Sequence, residues 1–560
     1  MDARKRRWGA GLLGLALWAA PAAALAVDET VIAVDLDDSA SDGDARDVAQ
    51  RHRITLRPNS PMVGVDRVYL ATVPADDAAR VLRALSADPE VDAAEENREV
   101  RALFVPNDPM YDQQWGMQRV GLPRSSEVTC GRGATVAVID TGVACENHGE
   151  FTRIPDLDGA RCLPGWNFVN DTAHANDDQG HGTHVAGTIA QTTHNQLGTA
   201  GVAFCATILP VKVLDARGSG SLADVAEGIR WAADHGADVI NLSLGGDGHS
   251  KLMDQAVEYA HRRGVTVVCA AGNSGRAVGS PANAPHAIAV SAIDSGDQIA
   301  FFSSRGPEIA IAAPGVAILQ QTICERGRNR CEQFASWSGT SMAAPHVAGA
   351  AALMYSLGVT DPDRVRSLLL THSTPAAHGG AEPELYGAGI VSASVASDAV
   401  LRSTGVTRAL MLLGLALGLA LWIRNKKGEL TAGWLLPALI TGVGLFFLPA
   451  FVGHYVPGVD LAMRPAASWD VLLLGAHLHR WLPFANLGVV LALVGLGFSR
   501  PSLRSPIGGV ALGTASYLLS ELFLRTGFAP LGSMLYLGWI ALNVTVCLWV
   551  ARIGIDRKTR

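Results

Sequence analysis

Three residues with acyl-transfer chemistry stand in small-residue settings, in the order Asp140, His181, Ser341. A serine hydroxyl becomes a nucleophile only when a base takes its proton. A histidine base in turn needs a carboxylate to fix its tautomer and stabilise the imidazolium. Ser341 lies in Gly339-Thr340-Ser341-Met342-Ala343-Ala344-Pro345-His346, which leads into an Ala- and Val-rich helical run. This puts Ser341 at or just before a helix N-terminus, where unpaired N–H groups and the positive dipole end favour a developing oxyanion. Pro345 is expected in the first turn, where its missing N–H is harmless. Taken alone, a serine before a helix is more often an N-cap than a nucleophile.

Two other stretches change that balance. Ala134-Thr135-Val136-Ala137-Val138-Ile139-Asp140 is an apolar, β-branched run ending in an acid, as expected of a buried parallel strand. Ligands gather at the carboxyl ends of such strands. Gly180-His181-Gly182-Thr183-His184 opens a second small-residue helix, and Val265 to Ala271 is a further strand leading to Asn273. By itself Asn273 reads as a turn residue before Gly275.

Together these motifs resemble the subtilisin-like serine proteases, the subtilase family, over roughly residues 106–400. The order Asp, His, Ser is one of the known triad orders. The resemblance implies Ser341 as nucleophile, His181 as general base and acid, Asp140 as its orienting carboxylate, and Asn273 as an oxyanion donor with the Ser341 N–H. It also implies that Gly218, Ser219 and Gly220 offer a free edge to a peptide backbone by strand addition. Ser243, Leu244 and Gly245 would form one wall of the pocket before the cut bond. Ala271 and Gly272 would form the other, with Gly279 near the floor. No charge stands at these positions, so a roomy apolar pocket for large hydrophobic side chains is expected, and such a pocket discriminates weakly.

The elements that must hold these residues alternate between strand and helix from about 134 to 355. That alternation predicts an α/β catalytic domain with a doubly wound, mostly parallel sheet. Thr193 to Thr199 occupies the place of the family's structural calcium loop. Glu150, Asn195 and either Gln113 or Gln114 would supply oxygen ligands; a hydrogen-bonded loop without metal is the alternative. No cofactor is expected for the chemistry itself.

Upstream, Arg4-Lys5-Arg6-Arg7, the apolar run Trp8 to Leu17, and Ala24-Leu25-Ala26 have the three parts of a secretory signal, with cleavage after Ala26. A retained anchor is the alternative. Residues 27–104 carry a β-α-β-β-α-β pattern, a ferredoxin-like α+β unit. It resembles the inhibitory propeptide of subtilases, whose last strand would enter the cleft and be cut nearby; a permanently attached small domain is the other reading. The peptidase domain is assigned to 105–400.

Seven of the eight cysteines precede residue 400, which favours disulfides in an oxidising compartment. Closeness in sequence suggests Cys145–Cys162 and Cys324–Cys331. Cys130, Cys205 and Cys269 remain, one of them an odd thiol, and Cys269 sits in a core strand where a buried thiol is ordinary.

Past residue 400 the composition turns apolar. Arg408–Ile423, Trp434–Val452, Phe484–Phe498, Ile507–Leu524 and Leu531–Val550 suggest five membrane spans, an all-α membrane domain over 401–560. Arg424 to Lys427, Arg500 with Arg504, and Arg552 to Arg560 follow the first, third and fifth runs. The positive-inside rule then puts the peptidase on the extracytoplasmic side of a bilayer, as a multi-pass cell-membrane protein. Trp469–Trp481 is shorter and reads as interfacial or re-entrant. His454, His477, His479, Glu521 and Asn543 are the polar groups in or beside the spans, read chiefly as interhelical hydrogen-bonding groups.

A net charge of −7 gives no nucleic-acid footprint. The partners expected are protein or peptide substrates and the lipid bilayer. Two function classes remain: a membrane-anchored serine endopeptidase made as a zymogen, or a multi-span receptor or transporter with an attached processing protease. A dead homologue would have no reason to hold all four site residues.

Overall fold

The computed structural model describes residues 29–97, 104–323, 333–376, 382–424, 432–446, 459–479, 486–527 and 533–554. The signal region, His454 and the Cys324–Cys331 pair therefore lie outside the described residues. The chain divides into two compact units, 1–101 and 102–560.

In the first unit, β1 (Glu29–Leu36), α1 (Asp42–His52), β2 (Leu56–Pro58), β3 (Val68–Pro74), α2 (Ala75–Leu85) and β4 (Val91–Glu96) follow in order. The sheet order is β2-β3-β1-β4, all antiparallel, the ferredoxin-like arrangement expected from the alternation. Ser41 caps α1 through a capping box with Asp44, satisfying two orphan groups at once. Ile32, Val34, Val48, Val81 and Leu85 form its core.

The second unit is built on an eight-stranded sheet. Its central strands are β5 (Thr135–Asp140), β6 (Thr207–Lys212), β7 (Val239–Leu242), β8 (Thr266–Ala270), β9 (Ile288–Ile293) and β10 (Ile309–Pro314), in the order β10-β9-β8-β7-β5-β6. Every pairing among them is parallel. The two-residue strands Arg161–Cys162 and Trp166–Asn167 extend the β6 edge.

Side chains alternate across the sheet, as the pleat requires. Val136 and Val138 of β5 join one core, which holds α3 (His181–Ala190) and α6 (Thr340–Ser356). Ala137 and Ile139 join the other, which holds α4 (Leu222–Asp234) and α5 (Lys251–Arg262). The sheet is therefore doubly wound. In α6 all residues but Ser341 are buried, so this apolar helix offers only its N-terminus to the surface. An antiparallel pair, β11 (Ile318–Gln321) and β12 (Phe334–Trp337), precedes α6, and α7 (Pro362–Thr371) follows it.

Pro345 is not in the first turn. The helix begins at Thr340, so the proline is its sixth residue and removes the N–H that would bond the Ser341 carbonyl. Ser243 Oγ donates to that carbonyl instead, at 2.8 Å.

Cysteine pairing was only partly anticipated. Cys145–Cys162 is present, and Cys130 pairs with Cys205, 75 positions away. Cys269 is free and buried.

The first apolar run does not begin a separate element at 401. One helix, α8 (Ala393–Arg424), starts in the peptidase core, where Ala393, Ala396 and Val400 are buried, and continues into the apolar region. It is followed by α9 (Ala432–Gly442), α10 (Asn486–Gly497), α11 (Pro501–Leu524) and α12 (Ser533–Ile553). Among the described residues three helices are long and apolar enough to cross a membrane: those within Ala393–Trp422, Pro501–Leu524 and Met534–Ile553. The second and third expected spans are represented by the shorter helices Gly433–Gly442 and Gly488–Gly497.

The stretch read as interfacial or re-entrant packs on the domain built around the eight-stranded sheet. It forms the short helices Trp469–Leu474 and Ala476–His479, whose Val471 and Ala476 belong to the same core as Val136 and Val138. Ala476 N donates to Gly133 O at 2.7 Å.

Candidate active site

Asp140 is the last residue of β5 and is fully buried. Its Oδ1 accepts from the Thr141 N–H and lies 2.7 Å from His181 Nδ1. A second carboxylate holds the helix that carries His181. Asp177 accepts from the N–H groups of Gln179, Gly180 and Thr183 and from both the Thr141 and Thr183 hydroxyls. Thr141 Oγ1 accepts from the Gly182 N–H in turn. Asp177 thus does the capping work that Gly180, the residue at the cap, has no side chain to do. The motif drew attention to His181 and left Asp177 as one acid in an irregular loop; its place three residues before the Gly180 turn was the available signal.

Burial opposes a charge on His181. The Asp140 carboxylate, through its charge and its hydrogen bond, outweighs that and raises the imidazole above its ordinary range. His184, one helical turn on, has a different fate. It stacks on Trp337 with ring centroids 4.6 Å apart and sits within hydrogen-bond reach of Ile318 O and Ala335 O. Burial drives it down to about 4, so it is a neutral core group.

Ser341 Oγ donates to Ser243 O at 3.0 Å. Asn273, beyond the end of β8, has its Oδ1 held by the Thr340 N–H at 2.8 Å and the Thr340 hydroxyl at 3.0 Å. Thr340 Oγ1 also accepts from the Gly272 N–H. With Oδ1 so engaged, the Asn273 amide nitrogen is left to donate elsewhere. A Cβ at Gly339 would lie 3.5 Å from Asn273 Nδ2 and 3.7 Å from Ser341 N. The missing side chain therefore leaves open space beside both donors.

These groups line one cleft of about 710 Å³. It contains His181, Ser341 and Asn273 and all nine residues expected to meet the substrate: Gly218, Ser219, Gly220, Ser243, Leu244, Gly245, Ala271, Gly272 and Gly279. Arg217 and Asp247 also line it. Both are exposed, so the cleft carries charges the motif-based reading did not include.

The expected calcium loop has a different set of neighbours. Glu150 is exposed on the His148–Phe151 bridge. Gln114 is consumed by Ala200 and Leu319 backbone groups. The buried acids beside Asn195 are Asp108 and Asp156. Asp108 accepts from the His194 and Asn195 N–H groups; Asp156 accepts from the Asn195 amide and the Thr199 N–H. Burial, with repulsion from Asp108, raises the Asp156 carboxyl to about 6. Two desolvated carboxylates are the kind of oxygen donor a hard cation takes; here they accept N–H groups, and the Asn195 amide oxygen accepts from the Leu197 N–H.

A carboxylate–imidazole pair, a serine at a helix N-terminus and a preset amide on one cleft of a doubly wound sheet define a serine hydrolase of the acyl-transfer class. The profile described as the subtilase family, peptidase S8, matches residues 131–389. A thermophilic serine proteinase of Bacillus sp. strain AK1 is 44% identical over 281 residues, 50% of this chain and 66% of that protein. Thermitase of Thermoactinomyces vulgaris is 44% identical over 257 residues, 46% of this chain and 87% of that enzyme. A solved protease structure from Pseudoalteromonas arctica aligns with 53% of this chain and all of its own, at 32% identity and a TM-score of 0.48. The chain belongs to the subtilase family and is a serine peptidase acting on peptide bonds.

Proposed function

We propose that this chain is a membrane-anchored, extracytoplasmic serine endopeptidase, made as a zymogen and retained by its C-terminal helices. The observation that carries the reading is the convergence of the Asp140–His181 pair, Ser341 and the Asn273 amide on one cleft. Ser341 Oγ turns from Ser243 O toward His181 Nε2 and attacks the scissile carbonyl. His181 accepts the serine proton, Asp140 stabilises the resulting imidazolium, and His181 then protonates the leaving amine. The Ser341 N–H and Asn273 Nδ2 stabilise the tetrahedral oxyanion. Water, deprotonated by the same histidine, releases the acyl group. Gly218 to Gly220 pair with the substrate backbone. Leu244, Ala271 and Gly272 favour a large apolar side chain before the cut bond.

No cofactor enters the chemistry. Asp108, Asp156 and Asn195 would hold a structural calcium, which supplies positive charge against two buried acids and ties the 193–199 loop to the core.

Anchoring rests on charge and contact. Arg552 lies over the Trp422 ring at 4.7 Å, and Gly554 meets Arg504 and Gly508, so basic helix ends gather on one side. At the other end, Thr526 O accepts from the Thr360 and Asp361 N–H groups of the peptidase. Arg408 and Glu521 form a buried pair at 3.2 Å between α8 and α11, a use of charge that suits an anchor. Arg408 was not among the polar groups singled out from sequence.

The test combines right-side-out and inverted membrane vesicles with N-terminal sequencing of wild type and Ser341→Ala. The reading requires a peptidase digestible only in right-side-out vesicles, starting near Val105 in wild type and near Val27 in the variant. A peptidase on the other face, or identical N-termini in both proteins, refutes it.

A further inference from the structure

A second cluster of ligating side chains lies on α5, away from the catalytic residues. Glu258 and His261 are three residues apart on one helix face. His286 comes from the turn before β9, and Asp363 from the first turn of α7. The ligand atoms of Glu258, His261 and His286 all lie within 4.8 Å of one another. His261 Nε2 is 3.0 Å from Asp363 Oδ1, and His286 Nε2 is 3.1 Å from Glu258 Oε2. The two imidazoles stack at 3.9 Å between centroids.

From these residues we propose a zinc-type transition-metal site formed by Glu258, His261, His286 and Asp363. Ligand chemistry comes first. Two imidazole nitrogens with carboxylate oxygens suit a borderline cation such as Zn²⁺ and not Ca²⁺, which takes oxygen.

Spacing comes second. Adjacent ligands on tetrahedral zinc, at 2.0–2.2 Å from the metal, stand about 3.3 Å apart. Both nitrogen–oxygen pairs are already within a few tenths of an ångström of that value. The metal would take the place of the His261–Asp363 hydrogen bond and the His286–Glu258 contact, and the remaining contraction falls on side chains that are partly exposed. Arg262 approaches Glu258 through Oε1, at 3.5 Å, and leaves Oε2 to His286.

The backbone is the third observation. His286 has φ +68°, a conformation that non-glycine residues rarely adopt. Such strain persists where surroundings fix it. Here Arg366 of α7 donates to the neighbouring Ala287 O at 2.6 Å, holding the turn against the helix that carries Asp363. The metal would lock α5, α7 and the 281–287 turn together. That turn continues directly from Gly279, Ser280 and Pro281, which line the substrate cleft.

The experiment uses full-length Ser341→Ala protein in detergent, stripped with chelator and reloaded with Co²⁺ or Zn²⁺. The comparison protein adds His261→Gln and His286→Gln. The proposal requires one more bound metal per chain in the first protein, with visible Co²⁺ bands of four-coordinate intensity. Zn²⁺ should raise its Tm by several degrees, an effect absent from the comparison protein, whereas any Tm gain from Ca²⁺ should be the same in both proteins. Asp363→Asn, an exposed change that leaves the fold intact, should weaken Zn²⁺ binding about tenfold or more. Equal metal content in the two proteins, or affinity unmoved by Asp363→Asn, overturns the proposal.

Discussion

Gly339→Ala tests the oxyanion geometry without touching any group that carries charge or proton. Gly339 has φ 166°, extended backbone open to any residue, so alanine imposes no strain there. Its Cβ would meet only ordinary contacts: 3.5 Å to Asn273 Nδ2, 3.7 Å to Asn273 Oδ1 and 3.7 Å to Ser341 N. The fold should therefore survive, with Tm changed by no more than a degree or two. The oxyanion, by contrast, must lie about 2.9 Å from both donors. The new methyl would stand beside both donors, within van der Waals contact of each nitrogen. The loss should equal at least one donor, about 2.7–4 kcal/mol, the range known for removing such an amide from a subtilisin. Initial rates on a chromogenic peptide should show kcat down about 100- to 1,000-fold with KM little changed. Asn273→Ala should give a similar loss, and the double variant should fall well short of the sum because both changes damage one hole. A Gly339→Ala enzyme with kcat within about threefold of wild type, or fully additive losses, would refute the reasoning.

Asp140→Asn should lower kcat by about 10⁴, since the imidazole loses its tautomer lock. Asp140 raises the His181 pKa and the general base must be neutral, so the acid limb of kcat/KM should lie above pH 6.5 in wild type and move lower in the variant. The buried neutral His184 and His346 are both held near 4, so the unfolded chain binds their protons first. Stability should fall as pH drops from about 6.5 to about 4, by up to about 3 kcal/mol for each. Urea midpoints against pH should show this, and His346→Gln should show less of it. Asp156 has the opposite sign: its raised carboxyl removes stability as pH rises through about 6. Calcium should restore it, so the Tm gain from Ca²⁺ should grow between pH 5 and 7 and vanish in Asp156→Asn. Arg464 donates to the Ser356 carbonyl at the far end of the nucleophile helix and to Thr129 Oγ1. Arg464→Ala should lower Tm by several degrees while kcat stays within a few-fold, as thermal unfolding in detergent would reveal.

What was legible in the sequence was local and periodic. The β5 run and the small-residue helices pointed to the doubly wound sheet, while the resemblance to the subtilases, not the periodicity, grouped Asp140, His181, Ser341 and Asn273. Within the central sheet, strand bounds shifted by one or two residues, as fraying ends allow. Partner choice over distance was not legible. Nothing in the spacing joins Cys130 to Cys205, or marks Asp156 over Glu150 as the acid beside Asn195. Val471 and Ala476 read as part of a short apolar stretch, yet they complete the peptidase core, because burial depends on which surface arrives rather than on period. In sequence Arg408 stands at the edge of a span; its meaning depends on Glu521, which the fold brings from 113 positions away. The single continuous helix Ala393–Arg424 was hidden for a similar reason. Its first half is patterned by the peptidase core and its second is apolar and mostly exposed, so composition alone suggests a boundary where the backbone has none.

The central claim is that Ser341 is the nucleophile of an assembled site. The most direct measurement is peptide-level mass spectrometry of full-length protein treated with a fluorophosphonate. The account predicts one adduct, on Ser341, abolished by His181→Ala and by Ser341→Ala, with peptide hydrolysis lost in step. An unmodified Ser341 in protein that still cleaves peptide, or a Ser341→Ala variant hydrolysing substrate at the wild-type rate, would contradict it.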